Sequence, residues 1–110
     1  MLLREIIDKC NLKVIEAENL DVEISNGYVG DLLSDVMGNA PGDSIWLTVQ
    51  SHMNIVAVAS IVGVKAIVLC NGLTYEDETI EKAKENAIAL LSSSENSFKT
   101  CMKLFEAGLR

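Results

Sequence analysis

The chain has 110 residues, of which 49% are hydrophobic and 23% are charged. This length and this balance are typical of one folded domain over residues 1–110 and exclude a disordered polypeptide. Its 16 acidic and 9 basic residues give a net charge of −7, and the basic residues form no cluster, so we expect neither a nucleic-acid partner nor an anionic membrane surface.

The first third of the chain predicts a helix followed by two short strands. Apolar side chains recur at helical spacing over residues 2–10, and Asn11 is a suitable stop. Residues 13–15 form a short apolar run that predicts a strand. Residues 22–24 alternate between apolar and acidic side chains, which is typical of a half-exposed edge strand.

A turn and a short helix are predicted next. Two glycines and an asparagine within residues 25–31 indicate a turn. Asp31 is a suitable N-cap for a helix over residues 32–37, which Gly38 would end.

The middle of the chain predicts a βαβ unit. Residues 45–49 and 66–70 are almost wholly apolar, as strands covered on both faces are. Between them, residues 54–62 predict a helix with Asn54 or Ser51 as its cap, so the two strands are expected to be parallel. This helix is apolar nearly all round. Its outer side therefore needs a second cover, either another subunit of a homodimer or one of the terminal helices.

The same alternation continues to the end of the chain. Residues 76–86 predict a helix with Ile80, Ala83 and Ala87 facing inward, and residues 87–91 predict a further strand. The fold class expected from the whole pattern is α/β, with a mainly parallel sheet flanked by helices.

A last helix is predicted from the serine-rich stretch that follows. Ser92 and Glu95 have the spacing of a capping box. The inward apolar stripe is expected to consist of Phe98, Met102, Phe105 and Leu109.

Localisation and cofactors are constrained by what the sequence lacks. No apolar run reaches about 18 residues and no signal-like segment begins the chain, so we expect a cytoplasmic protein. The cysteines, Cys10, Cys70 and Cys101, are far apart and form no Cys-x-x-Cys pair, so we expect no iron–sulfur cluster and no other cofactor in this chain. With a single histidine, a metal site is not predicted either.

Polar turns follow the predicted parallel strands and should meet at one edge of the sheet, where open α/β sheets bind ligands. Helices beginning near Asp31, Asn54 and Glu76 would direct free N–H groups to the same edge, which favours a small anionic or nucleotide ligand. The alternative is that these turns only connect elements. The predicted ligand-binding residues are Gly30, Asp31, Gln50, Ser51, His52, Asn54, Asn71, Gly72, Thr74 and Ser92.

A catalytic alternative rests on His52, the one histidine of the chain. As a base it could activate Ser51, or work with Asp31, in a small transferase or hydrolase. No nucleophile motif surrounds it, and residues adjacent in sequence seldom face each other correctly, so we predict no catalytic residue.

Three segments together resemble small stand-alone proteins of the DRTGG-domain family. They are Gly-Asp-Leu-Leu-Ser-Asp-Val-Met at residues 30–37, the stretch from Trp-Leu-Thr-Val-Gln-Ser-His-Met-Asn onward at 46–59, and Ile-Val-Leu-Cys-Asn-Gly at 67–72. The chain departs from the family's name-giving motif, with Ser51-His52 in place of Asp-Arg and Asn71-Gly72 in place of Gly-Gly.

The resemblance implies a fold like the N-terminal domain of HPr kinase/phosphorylase and a role that is regulatory or accessory and not catalytic. It also implies a homodimer. A protein partner such as a hydrogenase or kinase component is implied as well, because small relatives are named as iron–sulfur-binding hydrogenase proteins. A pure adaptor for a redox enzyme is the remaining alternative.

Overall fold

A computed structural model describes residues 1–110, which form five strands and five helices. The elements in chain order are α1 (Leu3–Cys10), β1 (Lys13–Glu16), β2 (Asn26–Val29), α2 (Leu33–Asn39), β3 (Ser44–Thr48), α3 (Asn54–Val62), β4 (Ala66–Leu69), α4 (Asp77–Glu85), β5 (Ala89–Ser92) and α5 (Ser97–Ala107).

One five-stranded sheet runs through the molecule in the order β1-β5-β4-β3-β2. β2, β3, β4 and β5 are parallel to their neighbours, and β1 pairs with β5 in the antiparallel direction. The predicted α/β class with a mainly parallel sheet is therefore confirmed. Because β1 runs the other way, its first residues lie at the same edge of the sheet as the carboxyl ends of the other four strands.

Helices cover both faces of the sheet, and each face has its own apolar core. Ile45, Leu47 and Val68 point toward α1 and α5, whereas Trp46 and Ile67 point toward α2, α3 and α4. Every residue of β3 and β4 is buried, which is why these strands are apolar at consecutive positions and not at alternate ones.

The apolar helix α3 has the predicted bounds, but neither terminal helix covers it. It lies between α2 and α4, and Ile55, Val56, Val58 and Ala59 are buried against the sheet and these neighbours. The terminal helices lie on the opposite face. The outer side of α3 is exposed, and Ile61 is its one exposed large hydrophobic side chain.

The edge strand β2 does not lie at residues 22–24, where the sequence predicts an edge strand. Residues 22–24 form only an isolated bridge, from Glu23 to Leu2, and Ile24 donates its N–H to the carbonyl of Met1 at 2.7 Å. The stretch predicted as a turn contains the strand instead, with Tyr28 paired beside Trp46 of β3. Its short polar sequence becomes a strand because β3 offers it a full set of backbone partners.

Three predicted helix caps are also wrong. The N-cap residue of α3 is Met53, so neither Asn54 nor Ser51 caps this helix. Ser92 ends β5 and caps nothing, and Asn96 caps α5 by accepting the N–H of Lys99 at 2.9 Å. Asp31 does not cap α2, whose N-cap residue is Leu32. Ala87 is not inward but exposed, and it has a φ of 55° in the turn after α4.

The expected apolar stripe of α5 is largely on the outside. Phe98, Met102 and Phe105 are exposed, while Thr100 and Leu104 face the core together with Leu109, which follows the helix. This leaves an apolar face on the outside, where the Arg110 guanidinium lies 3.8 Å from the centroid of the Phe105 ring.

Candidate ligand pocket

Asp31 joins two loops at the carboxyl edge of the sheet. Its Oδ1 accepts the hydroxyl of Thr48 at 3.0 Å and the backbone N–H of Val49 at 2.9 Å. Its carbonyl accepts the side-chain amide of Gln50 at 3.1 Å, and the carbonyl of Gly30 accepts the indole N–H of Trp46 at 2.8 Å. These predicted site residues therefore hold the loop after β2 against the end of β3.

His52 lies in the loop before α3 and is exposed. Its Nδ1 accepts the N–H of Asn54 at 3.3 Å, which takes up one of the free N–H groups expected at the start of this helix. The carbonyl of Ser51 accepts the hydroxyl of Thr79 at 2.7 Å. His52 has no hydrogen bond to Ser51 or Asp31, so the pairing that the catalytic alternative needs is not present in this structure.

Asn71 and Gly72 form a tight turn after β4. Both have positive φ, 66° and 65°, which asparagine and glycine adopt more readily than other residues. The N–H of Asn71 donates to the carbonyl of Glu95 at 2.8 Å, and the N–H of Gly72 donates to that of Ser93 at 2.9 Å. These two N–H groups hold the loop after β5 in place and are not free for a ligand.

A pocket of about 430 Å³ opens beside this turn, between β1, the end of β5 and the segment leading into α4. This volume lies within the range of small-molecule sites. The lining residues are Asn11, Lys13, Ile15, Gly72, Leu73, Thr74, Tyr75, Ile80, Ser92, Ser93 and Ser94.

The predicted ligand residues divide into two groups. Gly72, Thr74 and Ser92 line the pocket. The others lie outside its lining and include the residues of the Asp31 and His52 loops; they are Gly30, Asp31, Gln50, Ser51, His52, Asn54 and Asn71.

Lys13 and Asn11 line the pocket but were not predicted. Lys13 is its one charged side chain, since no carboxylate is among the lining residues. Both residues reach this edge because β1 is antiparallel to β5, and no local signal in the sequence indicates the direction of β1. The sequence predicts that helix N-termini attract an anion at this edge. In the structure, the positive charge in the pocket is that of Lys13 on β1.

Tyr75 forms the buried side of the pocket. Its hydroxyl donates to the carbonyl of Leu91 at 2.7 Å and lies 3.1 Å from the carbonyl of Ile67. Burial raises the pKa of Tyr75 far above its ordinary value, because an ionised phenol would lose its solvation there.

Replacing this residue in Tyr75→Phe should lower the free energy of unfolding by about 1–2 kcal/mol, because the carbonyl of Leu91 loses its donor. The folded pKa exceeds the unfolded value of about 10, so wild-type stability should fall as the pH rises above about 10, and less so in the variant. Urea unfolding at pH 7 and pH 10.5 measures both effects. Equal stability of the two proteins at both pH values would contradict this account.

The cysteines and acidic residues do not form a metal site. Cys10 and Cys70 are buried, Cys101 is exposed, and none is in a disulfide. Burial raises the pKa of Cys10 and of Cys70, which keeps both thiols protonated at neutral pH. No three His, Cys, Asp or Glu side chains are grouped closely enough to hold an ion.

Comparison with solved structures finds a relationship in fold that the sequence comparisons do not. No protein-family model and no curated protein matches the sequence. The structure is similar to that of the CBS and DRTGG domains of the regulatory region of Clostridium perfringens pyrophosphatase, complexed with its activator diadenosine tetraphosphate, with a TM-score of 0.72 and 17% identity. The match covers 96% of this chain and 46% of the other, so this chain spans about half of that region.

This likeness shows that the chain has a DRTGG-like α/β fold, in agreement with the resemblance found in the sequence. In addition, none of the helices has the length and apolar character that crossing a membrane requires.

Proposed function

We propose that this chain is a regulatory or accessory domain that binds a small anionic ligand, of the size of a mononucleotide, in the pocket at the carboxyl edge of its sheet. The observation that carries the proposal is the composition of this pocket. Lys13 is the one charged group in the lining of the pocket, and the other polar side chains of the lining come from separate segments of the chain.

The pocket lining contains two kinds of group, which suit different parts of such a ligand. The Lys13 ammonium, the Asn11 amide and the hydroxyls of Ser92 and Ser94 can donate hydrogen bonds to phosphate oxygens. The apolar and aromatic lining residues are Ile15, Leu73, Tyr75 and Ile80, against which a base can pack. A mononucleotide combines these two chemistries in one molecule.

The structural neighbour supports a regulatory role, because that region was solved with an activator nucleotide bound. We carry over the chemical class of the ligand and not its identity.

We further propose that the protein forms a homodimer, acts in the cytoplasm and serves a hydrogenase or kinase component. The partner class follows from the family resemblance. The cytoplasmic location is supported by three cysteines without a disulfide, as is usual in reducing compartments.

Calorimetry with the full chain tests the ligand. AMP, diadenosine tetraphosphate and inorganic phosphate are titrated separately, so that the nucleoside and phosphate contributions are distinguished. We expect AMP to bind, and AMP at 100 times its Kd to stabilise the fold by about 2.7 kcal/mol in urea unfolding.

Lys13→Gln should weaken AMP binding about tenfold or more, because a charge-assisted hydrogen bond to phosphate is lost. Lys84→Gln is the matched control, since Lys84 is exposed on α4 and does not line the pocket. No binding of any of the three ligands, or the same loss in both variants, would refute the proposed site.

A further inference from the structure

The outward face of α5 is apolar. Phe98 is 73% exposed, Met102 47% and Phe105 58%, and these three residues follow one another at helical spacing. An exposed stripe of this kind on a small domain usually marks an interaction surface.

This stripe continues into a groove beside the edge strand. Tyr28, Val29, Cys101 and Phe105 are among the residues that line an apolar groove of about 320 Å³ between β2 and α5. β2 is the last strand of the sheet on this side, so its outer edge has no partner strand.

We propose that this surface binds a second copy of the chain, with α5 packed antiparallel against α5 of the partner subunit. The proposal deepens the homodimer included in the proposed function and assigns the interface to α5, not to α3. A twofold axis passing beside Met102 would place Phe98 against Phe105 of the partner subunit, and Met102 against its own copy.

The charges beside the stripe favour a second copy over an unrelated protein. Lys99 and Glu106 lie on the same flank of α5, two helical turns apart, and neither has an ion pair within the chain. The same twofold axis places Lys99 opposite Glu106 of the partner subunit, twice per dimer. An unrelated partner would not require opposite charges on either side of Met102, three residues before it and four residues after it.

Sedimentation velocity of the full chain over a range of concentrations tests this interface. Met102→Lys should weaken the dimer about 100-fold or more, because two like charges would meet at the axis. Ile61→Lys is the matched control, since Ile61 is 70% exposed on α3, and it should leave the dimer unchanged. A monomeric wild type, or a dimer that Ile61→Lys separates and Met102→Lys does not, would overturn the proposal.

A charge exchange tests the antiparallel arrangement. Lys99→Glu and Glu106→Lys should each weaken the dimer, and the double variant should restore it. A double variant weaker than both single variants would contradict this pairing.

Failure of the dimer can be separated from failure of the ligand site. No residue of α5 lines the proposed pocket, so Met102→Lys should bind AMP as the wild type does in calorimetry. A wild type that binds AMP but remains monomeric refutes only the interface. A dimer that separates as predicted but binds no AMP, phosphate or diadenosine tetraphosphate refutes only the pocket.

Discussion

Trp46→Ala is expected to lower the free energy of unfolding by about 4 kcal/mol, the largest effect of any substitution considered for this chain. The indole is fully buried on the side of the sheet that faces α2, α3 and α4. Its removal leaves a large cavity and deprives the carbonyl of Gly30 of its donor. Urea unfolding followed by circular dichroism measures the loss, because the substitution removes the chain's one tryptophan.

Trp46→Phe is the control for the hydrogen bond and the cavity. A smaller ring retains most of the packing but not the donor, so we expect a loss of about 2 kcal/mol. Domains of this size are typically stable by about 5–15 kcal/mol, so this variant stays measurable even where the alanine variant unfolds. A loss below about 1 kcal/mol for Trp46→Ala would mean that the indole is not part of the core.

The second large effect is expected for Asp31→Ala, at about 2–3 kcal/mol. The Thr48 hydroxyl is fully buried and would lose its acceptor, as would the N–H of Val49. Urea unfolding of the variant and the wild type measures this loss.

Asp31→Asn separates hydrogen bonding from charge. The asparagine carbonyl can accept from the same two donors, so the loss should stay below about 1 kcal/mol. Thr48→Val combined with Asp31→Ala should cost less than the sum of the single variants, because both remove the same contact. Equal losses in Asp31→Ala and Asp31→Asn would show that the charge stabilises the loop and that the hydrogen bonds do not.

Both substitutions remove hydrogen bonds made by Gly30 or Asp31, two of the predicted ligand-binding residues. Gly30 and Asp31 receive hydrogen bonds from β3 and its following loop, so their polar groups are already used within the protein. Polar residues at the end of a parallel strand can serve either a ligand or the loops themselves, and the sequence does not distinguish these roles. The open part of the edge lies on the other side, beside β1 and β5.

The parallel part of the fold could be predicted because its signals are local. The almost wholly apolar sequences of β3 and β4 indicate strands buried on both faces, and the nearly continuous apolar run of α3 indicates its bounds. The intervening loops are short, which restricts the order of the strands.

The remaining elements depend on contacts that no local pattern records. β2 contains a glycine and an asparagine and becomes a strand only through its pairing with β3. Lys13 reaches the pocket because β1 reverses its direction beside β5.

The orientation of α5 was mispredicted for a related reason. Hydrophobicity alone turns Phe98 and Phe105 inward, yet the helix buries Thr100. The Thr100 hydroxyl donates to the carbonyl of Asn96 at 2.8 Å and lies 2.8 Å from the Ser93 hydroxyl, so its polar group is satisfied within the core.

The location of the ligand site can be measured most directly by titrating ¹⁵N-labelled protein with AMP and following the backbone amide signals. A ligand held by Lys13 should shift the amides of residues 11–15, 72–75 and 92–94, and leave those of residues 50–54 nearly unchanged. Shifts confined to residues 50–54, or none at millimolar AMP, would contradict the assignment of the site to this pocket.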